Sequence, residues 1–145
     1  MSYYYAKTLD LPFEKAIEVT TEALKAHGFG VLTRIDVKDT LKQKIGADFH
    51  PYVILGACNP GMALRALQAE DKIGTMLPCN VIVQERDGVI EVAAVDPVAS
   101  MQAIRNDRLA DIAGQVREAL RAAMDELPAA RRAGADAPAT KVREK

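Results

Sequence analysis

The sequence predicts an α+β domain of two layers, in which a mixed or antiparallel sheet of about five strands carries its helices on one face. Three observations lead there. Strand-like and helical segments alternate through the first half, Asp87-Gly88 joins two β-branched runs, and a long amphipathic stripe follows. At 145 residues, 49% of them apolar and 27% charged, the chain has apolar material for one core. Residues 1–127 are assigned to that single domain.

Tyr3 to Thr8 reads as a strand, and Asp10 with Pro12 supplies the cap-and-proline chemistry that opens a helix reaching about His27. Phe13, Ile17 and Leu24 recur on its buried stripe, and Gly28 is placed to end it in a left-handed conformation. Phe29 to Ile35 is a second strand. Asp36 and Asp39 then form an acidic capping pattern for a short helix that ends near Gly46 and turns Leu41 and Ile45 inward.

Tyr52-Val53-Ile54-Leu55 is a continuous apolar run of the kind buried on both faces, and it leads into Gly56-Ala57-Cys58-Asn59-Pro60-Gly61. Asn59 is a good N-cap and Pro60 suits the first helical position, so a helix starts here and carries Met62, Leu64, Ala66, Leu67 and Ala69. After turns at Gly74 and Pro78, the runs Val81-Ile82-Val83 and Val89 to Val95 form a hairpin around Asp87-Gly88, whose residues tolerate the positive φ of a tight turn. Asp96-Pro97 repeats the cap-then-proline pattern. The closing helix runs from about Arg105 to Leu127, with Leu109, Ile112, Val116, Leu120, Ala123 and Leu127 on one stripe. Residues 128–145 turn to Ala, Gly, Pro and charge, a composition that reads as a mobile basic tail.

Composition narrows the function classes. Acidic and basic residues nearly cancel to a net charge of −1, so the broad positive field that recruits nucleic acid is missing and no nucleic-acid partner is expected. No run is apolar enough to span a bilayer and the amino terminus lacks a secretory pattern, which points to a cytoplasmic protein with no membrane partner. Two cysteines, Cys58 and Cys79, are too few for a disulfide framework and suit free thiols in a reducing compartment.

Tyr52 to Pro60, followed by Leu77-Pro78-Cys79-Asn80-Val81-Ile82-Val83 and by Asp96-Pro97, resembles the paired signature of the bacterial and archaeal domain-of-unknown-function family 302. The resemblance runs from about Tyr3 to Leu127. It implies a compact α+β domain, often dimeric, and assigns no catalytic residue.

The residues themselves offer one region for chemistry. Cys58 ends a strand just before a helix, where free amides and the helix dipole stabilise a thiolate; as a small, commonly buried residue it equally suits close strand-to-helix packing. Cys79 comes close to it only if the two strands are antiparallel. Asn59 and Asn80 can bond a ligand through their amides, though capping and local turn bonding account for both as well. A candidate pocket therefore comprises Cys58, Asn59, Pro60, Gly61, Cys79 and Asn80, for a small molecule or a cofactor of unknown identity, with Cys58 as nucleophile or soft ligand.

Two alternatives stand beside it: a non-catalytic dimeric module in which both cysteines are structural, and a thiol-dependent redox enzyme. No dedicated metal site is expected, because zinc is usually served by closely spaced ligand pairs and neither cysteine has one. His27 suits a helix C-terminus. His50 lies at the far end of the strand from Cys58, about 25 Å away if fully extended. Glycine-rich nucleotide loops, Gly-x-Ser-x-Gly and His-Glu-x-x-His are all missing. Apolar strands around Val53, Val81 and Val92 suggest a second sheet face that self-association would cover, giving a homodimer.

Overall fold

The computed structural model describes residues 2–130. Its elements are β1 (Tyr4–Leu9), α1 (Phe13–Ala26), β2 (Gly30–Asp36), α2 (Val37–Ile45), β3 (Tyr52–Cys58), α3 (Pro60–Ala69), a 3₁₀ turn (Ile73–Met76), β4 (Cys79–Arg86), β5 (Val89–Val95), α4 (Pro97–Ser100) and α5 (Asp107–Asp125). The five strands form one sheet in the order β1-β5-β4-β3-β2, and every neighbouring pair is antiparallel. The predicted α+β class is therefore the one observed, in its antiparallel form.

Local chemistry sets most of the boundaries. Asp36 caps α2 by accepting from Asp39 N at 2.9 Å, and Gly46 closes that helix at φ 68°. Asp87 and Gly88 take φ values of 51° and 79° in the β4–β5 hairpin, the two consecutive positive values that a tight primed turn requires. The closing helix begins two residues later than the periodicity suggests. Asn106 accepts from Leu109 N at 3.2 Å and so starts α5 at Asp107.

α1 and α5 cover one face of the sheet. Leu24, Phe29, Val53, Val81, Val83, Val92 and Leu120 are buried between the layers. A second, smaller apolar cluster of Ala66, Ile73, Met101, Leu109, Ile112 and Ala113 joins α3, the 3₁₀ turn, α4 and α5. Asp96 ties these parts together: its amide donates to Tyr3 O at 2.8 Å, and its carboxylate accepts from Val98 N and Ala99 N. Arg117 Nε on α5 approaches Asp96 Oδ2 at 3.3 Å, poorly aligned for a hydrogen bond but close enough for charge attraction inside the fold. Lys7 reaches the carboxyl end of α5, donating to the Met124 and Asp125 carbonyls where the helix dipole favours a cation.

Three expectations need correction. β3 is not buried on both faces: Val53, Leu55 and Ala57 point under the helices while Tyr52 and Ile54 are half-buried on the open side, because an antiparallel sheet with helices on one face leaves the other to solvent. Val53, Val81 and Val92 thus belong to the covered core and supply no second apolar face. Ile45 does not turn inward either, and Leu41 is only half-buried. α2 buries no residue and Ile45 is 73% exposed, since that helix, in the connection from β2 to β3, meets mainly those two strands and has no layer beyond it. The assigned tail falls mostly outside the described residues; within them, Ala129 bridges Leu9 and Ala130 N donates to Thr8 O at 2.8 Å, so pairing along β1 continues past residue 127.

One buried polar atom is left over. Thr20 on α1 is fully buried, and its hydroxyl has no hydrogen-bond partner among the described residues. Thr20→Val keeps the shape and removes the unpaired oxygen, so unfolding stability is expected to rise by about 1 kcal/mol. A urea midpoint that falls in the valine variant would show that the hydroxyl is satisfied after all.

Candidate functional site

The antiparallel register of β3 and β4 decides where the cysteines meet. Ala57 pairs with Cys79, so Cys58 lies one residue beyond that pair, at the β3 end that Cys79 begins in β4. Gly56 permits the approach. A Cβ on it would lie 2.7 Å from Pro78 Cγ and would collide with Thr33 Oγ1, so only a residue without a side chain lets the Pro78 corner close over the strand.

Both cysteines line one cavity of about 240 Å³. It lies where the two apolar clusters meet, with Phe29, Ala57 and Cys79 contributed by the larger cluster and Ala66, Met101, Leu109, Ile112 and Ala113 by the smaller. Met62 and Ala63 on α3, Leu32 on β2, and Leu77, Pro78, Pro97 and Val116 also line it. Leu32 falls in a register shift between Val31 and Thr33, and a bulge of that kind re-aims a side chain at a strand edge. No acidic, basic or histidine residue is among those that line the cavity, which include Cys58, Cys79 and Asn59.

Asn59 performs its capping role: Oδ1 accepts from Met62 N at 3.1 Å and Pro60 occupies the first turn of α3. Its amide nitrogen lies against Gly28, where a Cβ would come within 2.8 Å, and Gly28 itself sits at φ 87°. The glycine that ends α1 therefore also makes room for the cap of α3.

Of the six residues proposed from the sequence, Cys58, Asn59 and Cys79 come together at the cavity. Pro60 and Gly61 are exposed and do not line it. Asn80 follows Cys79 in β4 and so points to the opposite face, into a shallow groove with Tyr3, Tyr4, Tyr52, Gln84 and Glu91. Sequence reasoning missed Phe29, Leu32, Met101 and Ala113. It did place Leu109, Ile112 and Val116 on one stripe, but periodicity says only that a stripe is apolar, not that part of it faces a void. His27 and His50 stand apart: His27 pairs with Glu126 and His50 Nε2 bonds Gln84 Oε1 at 2.8 Å. Among the described residues no three His, Cys, Asp or Glu side chains gather as metal ligands.

The two sulfurs differ in access. Cys58 is partly exposed while Cys79 is buried, and neither is in a disulfide. Burial pushes the Cys79 thiol up to about 11, with a smaller contribution from the neighbouring Cys58. Cys79 is therefore a neutral thiol at neutral pH. Iodoacetamide is expected to label Cys58 in the native protein at pH 7.5 and to reach Cys79 only at strongly alkaline pH or after denaturation; equal labelling of both by mass spectrometry would contradict the burial of Cys79.

Comparison with known proteins gives a consistent picture. The family model described as "Domain of unknown function DUF302" matches residues 5–127. The crystal structure of an uncharacterized conserved protein DUF302 from Bacillus stearothermophilus superposes with a TM-score of 0.81 at 32% identity, covering 86% of this chain and 98% of that one. No curated protein matches the chain. No helix among the described residues is long and apolar enough to cross a membrane.

Proposed function

The chain belongs to the DUF302 family, and we propose that it works by binding a small, uncharged, largely apolar molecule or cofactor in the cavity between α3, α5 and the Cys58–Cys79 end of the sheet. The observation that carries this reading is the cavity itself. At about 240 Å³ it exceeds the ~150 Å³ that already admits benzene and approaches the ~300 Å³ of ordinary ligand pockets. A lining free of charged groups penalises an ionic ligand, since a buried charge without a partner is costly. Recognition then rests on shape, with the thiols and Asn59 as its polar marks. A reducing compartment such as the cytoplasm suits the site, because both sulfurs are free thiols.

Ala63→Leu places extra side-chain volume in the rim without adding charge. Benzene and indole are expected to raise the melting temperature of the native protein, by the equivalent of about 1.4 kcal/mol at roughly tenfold excess over Kd. The same probes are expected to leave the Ala63→Leu variant unmoved while its fold, followed by circular dichroism, stays intact. If neither probe shifts the native protein, or if both proteins shift alike, the cavity is not the binding site.

A second reading concerns assembly, and β2 favours it. This edge strand and α2 leave Leu32, Ile35 and Ile45 at 68%, 47% and 73% exposure beside an unpaired backbone edge. A second copy of the chain, pairing β2 with its own counterpart about a two-fold axis, would cover both the apolar side chains and the free edge. Light scattering at micromolar concentration is expected to give a dimer mass that Ile45→Glu reduces to that of the monomer; a native monomer would end this reading and leave the cavity untouched.

A further inference from the structure

We infer that the open face of the sheet carries a second site, a groove walled by Tyr3, Tyr4 and Tyr52 and bearing the Glu91 carboxylate, for a small methylated ammonium cation of the choline type. The groove holds about 340 Å³, within the range of small-molecule sites. Three of the four tyrosines in the chain line it. It lies across the sheet from the cysteine cavity, because its residues Ile82, Gln84, Glu91 and Ala93 alternate along β4 and β5 with the buried Val81, Val83 and Val92.

Strand register assembles the groove. Tyr52 pairs with Gln84 and Gln84 with Glu91, so these residues form one row across β3, β4 and β5. Gln84 orients the carboxylate: its amide nitrogen donates to Glu91 Oε1 at 3.0 Å, while its oxygen bonds His50 Nε2 at 2.8 Å. The Tyr3 and Tyr4 rings stand 5.0 Å apart at 80°, two walls nearly perpendicular to each other. Burial first, then the nearness of Tyr3 and Glu91, raises the Tyr52 hydroxyl above its ordinary value, so the phenols and the carboxylate share one electrostatic environment.

That chemistry selects the ligand. Among the described residues that line the groove, Glu91 alone is charged, and none is lysine, arginine or histidine. A cation is therefore attracted and an anion repelled. A hard metal ion would have to exchange its water for one carboxylate and ring faces, and no three His, Cys, Asp or Glu side chains gather as ligands among the described residues. A methylated ammonium is held differently: its methyl groups pack on the rings while the negative π faces attract its charge. A betaine, which carries its own carboxylate, would set that group against Glu91.

The test titrates the full-length protein with choline, with tetramethylammonium and with dimethylbutanol, the neutral isostere of choline, and follows binding by NMR. Both cations are expected to shift the ring resonances of Tyr3, Tyr4 and Tyr52, with the neutral isostere binding roughly tenfold more weakly. Glu91→Gln is expected to weaken choline about tenfold and Tyr3→Leu about threefold. Tyr3 is exposed, so Tyr3→Leu reads the ring even if Glu91→Gln disturbs the Gln84 bond. Equal binding of choline and its neutral isostere overturns the inference, as does choline binding that both variants leave unchanged, or a native protein that answers neither cation at tens of millimolar. Sedimentation with phosphatidylcholine vesicles without a response to free choline would assign the headgroup chemistry to a membrane and likewise end the free-ligand reading. Ala63→Leu, which crowds the cysteine cavity, is expected to bind choline like the native protein; a loss there would move the ligand to that cavity and overturn the groove.

Discussion

The site depends on one register, the antiparallel pairing that sets Ala57 of β3 opposite Cys79 of β4. A parallel crossover would have carried Cys79 to the other end of the sheet. With the strands antiparallel, the connection through α3 and the 3₁₀ turn returns the chain to the corner it left, and each strand contributes its terminal cysteine there. Shifting the pairing by one residue would put Cys79 on the open face and Asn80 in the cavity, because side chains alternate with period two. Gly56 guards that register by admitting Pro78 and Thr33 where any side chain would clash.

The cavity follows from the way the domain fills its interior. One apolar cluster lies between the sheet and α1 with α5, and a second lies between α3, α4 and α5. α5 serves both, and the void sits at their junction. Core packing is ordinarily tight enough that a gap of this size between two well-formed clusters is uncommon. The caps of the surrounding helices hold its walls in place: Asn59 starts α3, Asp96 starts α4 and pairs with Arg117, and Asn106 starts α5 while donating to the Ala69 carbonyl at the end of α3. A cavity held by caps on three helices is less free to collapse than one lined by a single element.

Chemically, the site combines a partly exposed thiol with a buried one, in walls of Leu, Ile, Ala, Met and Pro. Such surroundings keep Cys79 protonated and give an ion of hard character nothing to bind. The open side of the sheet differs in character: Gln84 bridges His50 and Glu91, and Tyr3, Tyr4 and Tyr52 stand around it.

The sequence by itself determined the elements and several of their boundaries, since these rest on chemistry within a few residues: the caps at Asp36, Asn59 and Asp96, the left-handed Gly28, the helix end at Gly46, and the Asp87-Gly88 hairpin. It also singled out the Cys58-Asn59 corner, because a cysteine next to a cap and a proline is a local pattern. Only the tertiary structure decided that Cys79 shares that corner while Asn80 does not, that Ile45 stays in solvent, and that Phe29, Met101 and Ala113 wall the cavity. Strand direction, the face a side chain takes and the place where two clusters leave a gap are set by contacts between residues far apart in the chain, and periodicity along one segment carries no record of what packs against it.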